Sequence, residues 1–316
     1  MTNRIQTYSL TLIFSFFVLI STANADVKVV TSIKPIHSLL SYIMDGVGKP
    51  DVIVDGYNSP HSFSLKPSHA KMLENADLVI WVGEDLETFL EKPLNTIAKK
   101  AKTIEIMDLK EIKKLAFREK NIFEGHKEHD DHKEHDDHKE KDSHEGHAHG
   151  EYDPHVWLDP INAKLIIKEV TKQLVQLDVK NSSVYKSNSK KALAEIDNLI
   201  QNIQKDIGKD LRFVVFHDAY QYFENRFGIQ VLGALTVNTD VMPGAEQLSE
   251  IREVIEHEKV NCLFSEPQFN PAIIKSIAKD TNVKIGTLDP LGAKLDKGKN
   301  LYFNLLKDMS SSFKGC

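Results

Sequence analysis

The chain has 316 residues, 41% of them hydrophobic and 27% charged, which is an ordinary globular composition and enough length for two domains. The formal net charge is −6, and lysine and arginine are scattered, with no basic run interleaved with aromatic residues. Nucleic acid is bound through basic surfaces of that kind, so the composition argues against nucleic acid as a partner.

The N-terminus has the layout of a secretory signal peptide. Arg4 precedes an apolar run at 10–20, and a small-x-small cleavage site ends at Ala25. A membrane anchor is the alternative, but the apolar run is well short of the ~20 residues that a membrane-spanning helix needs. No cysteine follows the cleavage site directly, so we expect no lipid anchor. We expect removal of residues 1–25 and a soluble mature protein in the periplasm.

The next segment alternates between predicted strands and predicted helices. Strands are predicted at 27–31, 51–54, 76–83 and 103–107, and helices at 32–44, 67–75 and 84–100. The strand at 76–83 is apolar along almost its whole length, which is typical of a sheet that is covered on both faces. The alternation predicts parallel βα units that form one doubly wound lobe.

A histidine-rich acidic tract follows, in which an imidazole recurs at every third position from His126 to His138. Eleven acidic residues and four lysines between Glu124 and Glu151 give a local charge of −7 with histidine neutral. Almost no apolar side chain is present to offset the cost of ordering the backbone, about 1–2 kcal/mol per residue, so we expect a mobile loop.

This tract has the composition of a metal-binding segment, because neutral imidazole and carboxylate are both ligands for zinc and its neighbours. An inert acidic linker is the alternative, but a linker has no need of so many imidazoles. The candidate auxiliary ligands are His126, His129, His132, His135, His138, His144, His147 and His149. Apolar residues return at 153–160, so we expect order to resume there, with His155 at its edge.

Two helices are predicted after the tract, at 163–177 and 182–209. The second places apolar side chains on one face and contains no proline, and no glycine before Gly208. At ~1.5 Å per residue it would reach ~40 Å, about the length of a small domain. We interpret it as a spine that crosses from one lobe to the other.

A second series of βα units follows this spine. Strands are predicted at 212–217, 230–234, 260–264 and 284–288, and helices at 218–226, 245–258 and 271–280. The predicted fold is α/β, with two doubly wound βα lobes joined by one long helix and a metal site in the cleft between the lobes. The predicted divisions are a signal peptide at 1–25, an N-terminal lobe at 26–178 with the histidine-rich loop at 121–152, a linking helix at 179–209 and a C-terminal lobe at 210–316.

Cys262 and Cys316 are the only cysteines. In an oxidising compartment two cysteines most simply form one disulfide, which here would tether the end of the chain. A pair of thiolate metal ligands is the alternative.

Four further residues share one kind of position, at the end of a predicted strand or in an ordered turn. They are His61, His155, His217 and Asp289. Ligands bind at such positions in open α/β sheets, and each lobe contributes two of the four, so one ion between the lobes could contact them all. Zinc accepts nitrogen and oxygen donors at about 2.0–2.2 Å, and imidazole favours zinc over manganese. Taken singly, each residue also fits a structural role in the core or in a turn.

Several short motifs give the sequence a resemblance to a known family. Residues 60–68 read PHSFSLKPS, 153–160 read DPHVWLDP, 216–220 read FHDAY and 287–292 read TLDPLG. Together with the signal peptide and the histidine-rich tract, they resemble the zinc-specific periplasmic binding proteins of ABC transporters. These metal receptors have two lobes joined by one rigid helix, and the resemblance covers essentially the whole mature chain.

The resemblance implies a receptor that captures Zn²⁺ and delivers it to a membrane permease, with His61, His155 and His217 as zinc ligands. Manganese-binding relatives tend to carry glutamate at the position of His217. Some zinc-binding members carry glutamate directly before the first ligand histidine, where this chain has Pro60. The fourth ligand therefore stays open between Asp289, a water molecule and a side chain of the histidine-rich tract. The two cysteines also lie where members of the family form a disulfide.

Three other classes of protein are alternatives. Three imidazoles with an open fourth position also suit a hydrolytic zinc enzyme, but the sequence contains no His-Glu-x-x-His helix, Gly-x-Ser-x-Gly elbow or paired cysteine motif. A manganese receptor of the same fold is the second alternative. A surface adhesin of the same fold would need an anchor that we do not find. We expect a monomeric binding protein that is not embedded in the membrane, rather than an enzyme.

Overall fold

The computed structural model describes residues 27–123, 150–208, 212–237, 239 and 243–316. The predicted signal peptide and the eight histidines between 126 and 149 lie outside the described residues. Within these ranges, none of the helices combines the length and the apolar character that a membrane span requires.

The N-terminal lobe is built on a parallel sheet. Its strands are β1 (Val29–Ile33), β2 (Asp51–Val54), β3 (Leu78–Trp81) and β4 (Lys102–Glu105). Its helices are α1 (Lys34–Ile43), α2 (Pro67–Glu74) and α3 (Thr88–Thr96). The strand order is β2-β1-β3-β4. The central strands β1 and β3 are buried at every residue, as their apolar sequences predict for strands that are covered on both faces.

Two long helices lead out of this lobe. They are α4 (Pro160–Leu177) and α5 (Ser182–Asp206), and a short 3₁₀ helix, Val156–Leu158, precedes them. α5 has 25 residues, which corresponds to ~37 Å, and it packs against α1 and α4. Ile196, Leu199 and Ile203 form part of its buried face. α5 is therefore the predicted spine, although it ends at Asp206 rather than at residue 209.

The C-terminal lobe repeats the topology of the first. Its strands are β5 (Arg212–His217), β6 (Gln230–Thr236), β7 (Cys262–Ser265) and β8 (Lys284–Thr287). Its helices include α6 (Gln221–Phe227), α7 (Ala245–His257) and α8 (Ala272–Thr281). The strands are again parallel, in the order β6-β5-β7-β8. The predicted architecture of two doubly wound lobes joined by a long helix is confirmed.

The last helix, α9 (Leu301–Lys314), is not predicted by the sequence pattern. Its first turn contacts the N-terminal lobe, where Tyr302 N donates a hydrogen bond to Ser38 Oγ at 2.9 Å. Its last turn packs on the C-terminal sheet, with the rings of Phe313 and Phe213 4.9 Å apart. α5 is therefore not the sole bridge between the lobes, because α9 is a second one.

The end of α9 is fixed covalently. Cys262 in β7 and Cys316 at the chain terminus form a disulfide, so the predicted disulfide is confirmed and these sulfur atoms are not a thiolate pair. The tether holds the C-terminal end of α9 against the sheet on which Phe313 packs.

Candidate metal centre

His61 reaches the cleft from the loop that follows β2. This loop turns at Gly56, whose φ of 69° lies in the left-handed region that glycine adopts without strain. Ser59 Oγ accepts a hydrogen bond from His61 N at 3.3 Å, and Pro60 is buried, so the backbone before the imidazole is restrained. The His61 ring centroid lies 5.5 Å from that of His155 and 5.8 Å from that of His217.

His155 is buried in the turn before the 3₁₀ helix. Asp153 Oδ1 accepts a hydrogen bond from His155 N at 2.9 Å and lies 2.7 Å from His155 Nδ1. Trp157 packs beside the imidazole and donates from Nε1 to Pro290 O at 2.8 Å, which ties the turn to the C-terminal lobe. Because the carboxylate engages Nδ1, the lone pair of the neutral ring lies on Nε2.

His217 is the last residue of β5 and is also buried. Glu266, which follows β7, places Oε1 2.7 Å from His217 Nδ1. The two strands are neighbours in the sheet, so their carboxyl ends meet at one edge. Glu266 thus orients the His217 ring in the same way as Asp153 orients the ring of His155.

The three imidazoles converge on one point. His61, His155 and His217 each offer one ring nitrogen, and these atoms all lie within 4.8 Å of one another. His155 Nε2 and His217 Nε2 are 3.3 Å apart. The cavity that the rings line has a volume of about 10 Å³, which is room for a single small ion or water molecule. The donor set and the size of the cavity therefore fit one transition-metal ion.

The two buried imidazoles have opposite electrostatic environments. Burial, and then the charge of His217, hold the pKa of His155 well below its ordinary value. Burial also lowers the pKa of His217, but the charge and hydrogen bond of Glu266 outweigh it, so that pKa is raised. The neutral form of His155 is therefore favoured, which leaves a lone pair for a metal ion, whereas His217 takes up a proton more readily than an isolated imidazole does.

Asp289 does not belong to this three-histidine group. Its Oδ1 accepts hydrogen bonds from Leu291 N at 3.1 Å, Gly292 N at 2.9 Å and Gln268 Nε2 at 2.8 Å. Its Oδ2 accepts one from Ala293 N at 2.6 Å. Both oxygens are thus committed to ordering the loop after β8. As a metal ligand, Asp289 stays a prediction.

The other side of the same loop is held by Lys34 of α1. Its buried Nζ donates hydrogen bonds to Gly292 O at 2.7 Å, Ala293 O at 3.2 Å and Leu295 O at 2.8 Å. The Lys34 ammonium group of the N-terminal lobe therefore donates to the carbonyl groups of this loop, while Asp289 accepts from the N–H groups of the same loop. This contact fixes one side of the cleft.

A second contact between the lobes lies beside His217. Arg118 Nη1 is 2.9 Å from Asp218 Oδ1, and Arg118 Nη2 is 2.8 Å from Glu224 Oε2. The chain then runs antiparallel to β6, where Phe123 N donates to Leu232 O at 2.8 Å. Residues 121–123, which we predicted as the start of the histidine-rich loop, are therefore paired with the C-terminal sheet.

Sequence reasoning found the three histidines but missed the carboxylates behind two of them. Glu266 lies beyond the carboxyl end of β7, a position equivalent to the one that singled out His217, so the same signal could have found it. Asp153 stands in the motif around His155, but its spacing alone does not show which nitrogen it contacts.

The fold and the site define a class: two-lobed α/β proteins that bring histidines from both lobes to one cavity of ionic size. Residues 29–316 match the family described as zinc-uptake complex component A, periplasmic. The chain belongs to this family, which confirms the resemblance drawn from its motifs.

Individual relatives agree with this assignment. The high-affinity zinc uptake system protein ZnuA of Brucella abortus (strain 2308) is 42% identical over 303 residues, which cover 91% of each chain. The protein of the same name from Yersinia pestis is 39% identical over 297 residues, which cover 92% of each chain.

Solved structures show the same fold. A crystal structure of ZnuA matches with a TM-score of 0.75 at 22% identity, over 92% of this chain and 99% of that one. The laminin binding protein Lmb of Streptococcus agalactiae, called a bifunctional protein with adhesin and metal transporting activity, matches with a TM-score of 0.71 at 24% identity, over 91% and 99%. At these identities the likeness concerns the fold alone.

Proposed function

We propose that this protein captures Zn²⁺ in the periplasm and delivers it to the membrane permease of an ABC transporter. One observation carries the proposal: His155 Nε2 and His217 Nε2 lie 3.3 Å apart, with a His61 nitrogen in the same group. Two nitrogens bound to one tetrahedral zinc at 2.0–2.1 Å are about 3.3 Å apart. Family membership and the names of the relatives support zinc as the cargo.

The proposed protein ligands are His61, His155 and His217. Of the three candidates for the fourth position, we favour a water molecule because it is the smallest, and the cavity of about 10 Å³ must widen only slightly to hold it beside the ion. Asp289 would first have to move, because neither of its oxygens lies in the group of the three histidine nitrogens. A side chain of the histidine-rich tract is the third candidate, and the tract's eight imidazoles would raise the local concentration of zinc near the cleft.

Zinc is favoured over manganese by the chemistry of the donors. The group holds three imidazoles and no carboxylate, and imidazole suits zinc, whereas hard cations such as Mn²⁺ favour oxygen ligands. The two nearest carboxylates, Asp153 and Glu266, contact Nδ1 atoms instead, so they orient the imidazoles and add negative charge behind them.

Delivery follows from the way the ligands are divided. His61 is held by the N-terminal lobe and His217 by the C-terminal sheet, whereas the turn that carries His155 contacts both lobes. A small change in the separation of the lobes therefore changes the distance from His217 to His61. Because zinc–nitrogen bonds tolerate little lengthening, such a change lowers the affinity and releases the ion.

A hydrolytic zinc enzyme fits the geometry less well. A catalytic zinc needs an open coordination position with space for substrate beside it. The cavity of about 10 Å³ holds an ion but leaves no space for an organic substrate. The observation therefore favours a binding protein.

Anomalous diffraction from crystals of the zinc-loaded mature chain tests the proposal. We expect one strong peak between the lobes, at about 2.0–2.1 Å from a nitrogen of His61, His155 and His217. A peak that misses any of the three histidines, or a peak only at the surface, would overturn the proposed site. Sequencing the N-terminus of protein recovered from the periplasm tests cleavage after Ala25 in parallel.

A further inference from the structure

The free edge of the N-terminal sheet lies far along the sheet from the metal centre, at β4. Lys102 N donates to Asp77 O, and Ile106 N donates to Trp81 O, so alternate residues of β4 bond to the β3 side. In a parallel strand the intervening residues point the other way, so Thr103 and Glu105 direct their backbone groups outward. β4 ends the strand order, and within the described ranges no strand pairs with this edge.

A groove runs along this edge, and we call it the β4 groove. It is lined by Trp81, Glu84, Glu91, Leu94, Asn95, Lys102, Thr103, Ile104, Glu105, Asp108, Leu109, Glu169 and Gln173. These residues come from β3 and β4 with their following turns, from α3 and from α4. The volume of the groove is about 610 Å³, which is large enough to hold several side chains of a peptide.

The β4 groove is acidic. Five carboxylates line it, against one lysine, Lys102. Burial, and then the charges of Asp108 and Glu84, raise the pKa of Glu105 to about 7. A bound cation would relieve this repulsion, so the groove favours a positively charged ligand.

Two buried polar atoms in the β4 groove also lack partners. Trp81 and Gln173 are each only 5% exposed. Trp81 Nε1, a donor, and Gln173 Oε1, an acceptor, have no hydrogen-bond partner among the residues that the structure describes. Gln173 uses its Nε2 on Glu169, so its carbonyl oxygen remains for a ligand. Buried polar groups are normally satisfied, and a peptide supplies both a carbonyl group and N–H donors.

We propose that the β4 groove binds an extended segment rich in lysine or arginine from a partner protein, which adds to β4 as a fifth strand. Backbone pairing uses the N–H and carbonyl groups of Thr103 and the N–H of Glu105, whose carbonyl already accepts from Asp108 N at 3.3 Å, and the basic side chains meet the carboxylates. A metal ion fits less well, because the groups of metal-ligating side chains in the described residues do not include these carboxylates. The histidine-rich acidic tract of the chain itself is negatively charged, so the carboxylates of the β4 groove would repel it.

Nuclear magnetic resonance with the ¹⁵N-labelled, zinc-loaded mature chain tests this proposal. The probe is a short blocked peptide of alternating lysine and threonine, and the control peptide carries glutamate in place of lysine. We expect saturable shifts of the Thr103 and Glu105 amides and of the Trp81 indole N–H with the first peptide only. Equal binding of the glutamate peptide, or shifts elsewhere without shifts in β4, would overturn the proposal.

Two variants separate strand addition from general charge attraction. Thr103→Pro removes one outward N–H while leaving the bonds to β3, and we expect peptide affinity to fall at least about tenfold with zinc affinity unchanged. Should that variant misfold, Glu105→Gln combined with Asp108→Asn removes two carboxyl groups from the groove. Its matched control is Glu253→Gln with Glu256→Gln on the exposed face of α7. An equal loss of affinity in both double variants would overturn the proposal.

Discussion

Glu266 Oε1 lies 2.7 Å from His217 Nδ1, although 49 residues separate them in sequence. The carboxylate and the imidazole follow neighbouring strands, β7 and β5, so the sheet itself sets their distance. The contact fixes the tautomer of His217, leaves its Nε2 directed at His155, and raises the affinity of the ring for protons. If His217 binds zinc as we propose, one residue therefore controls both the geometry of that ligand and the competition between proton and metal.

Substitution of Glu266 by glutamine tests this control. Glutamine can still accept a hydrogen bond from Nδ1 but carries no charge, so the imidazole loses electrostatic support as a metal ligand. We expect zinc affinity to fall by roughly 10- to 100-fold, the range for partners that contact ligand histidines. Competition titration against a zinc-binding dye measures this change.

The matched variant is Asp153→Asn, which replaces the carboxyl group behind His155 by an amide. Because Asp153 also accepts from the backbone N–H of His155, we expect this variant to reduce both zinc affinity and thermal stability. Unchanged affinity in both variants would show that these carboxylates serve only the fold.

Zinc affinity should fall as the pH decreases. Metal binding needs a neutral imidazole, and the pKa of His217 in the metal-free protein is raised above its ordinary value of 6.5. The loss therefore begins above that value, through protonation of His217. Below its pKa, affinity drops about tenfold per pH unit for each proton released. Burial, and then the charge of His217, lower the pKa of His155 well below its ordinary value, so His155 takes up a proton at lower pH than His217 does.

Titrations between about pH 8 and about pH 5 measure this dependence. In the Glu266→Gln variant the charge that raises the pKa of His217 is absent, so the onset of the loss should move to lower pH. An affinity that stays flat over the whole range contradicts ligation by His217.

Removal of the ligand itself should have a larger effect. His217→Ala takes away the one proposed histidine ligand that the described part of the C-terminal sheet supplies, and we expect zinc affinity to fall by more than roughly 100-fold, beyond the loss for a supporting carboxylate. His257→Ala, at an exposed position of α7, is the matched control and should bind zinc as the unsubstituted chain does. Similar losses in both variants would refute the assignment of His217.

The sequence predicts most of the fold because buried parallel strands are short apolar runs bounded by turn residues. The strand ending at His217 is predicted at 212–217 and observed over the same residues. α9 escaped prediction because its helical state depends on distant partners. Its sequence carries three consecutive serines near the end, and it is held by Ser38, the C-terminal sheet and the disulfide.

The candidate metal centre is predictable in part, because the predicted ends of the strands single out the residues next to them. His61 and His217 are found because each follows a strand, and His155 because it stands where order resumes. Their convergence is not visible in the sequence, because it depends on contacts between lobes such as those of Lys34 and Arg118. The position of Asp289 at the end of a predicted strand indicates a metal ligand. A carboxylate at that position can equally accept hydrogen bonds from the N–H groups of the following loop, as Asp289 does.

Deletion of residues 125–150 should separate the interlobe site from the histidine-rich tract. If the tract is an auxiliary site, the deleted chain keeps tight binding at one ion per chain and loses further, weaker zinc ions. Isothermal titration calorimetry measures both quantities. A chain in which a glycine-serine segment of equal length replaces the tract is the control for loop closure. Loss of tight binding in both chains would place the principal site in the tract.

Substitution of Asp289 by alanine tests whether this residue orders the loop after β8 or binds zinc. The structure commits both oxygens to Leu291, Gly292, Ala293 and Gln268, so the substitution leaves several donors of a partly buried loop without an acceptor. We expect the free energy of unfolding to fall by about 1–3 kcal/mol, the cost of unsatisfied buried polar groups. Zinc affinity should change by less than about tenfold, because a water molecule completes the coordination in either chain.

Denaturant unfolding of the metal-free chain and zinc titration measure the two effects separately. Asp289→Asn keeps an acceptor oxygen and should recover part of the lost stability, which distinguishes the hydrogen bonds from the charge. A loss of zinc affinity by more than roughly 100-fold with unchanged stability would instead make Asp289 the fourth ligand. In that case the loop at 289–295 must rearrange on binding, since neither Asp289 oxygen lies in the group that the three histidine nitrogens form.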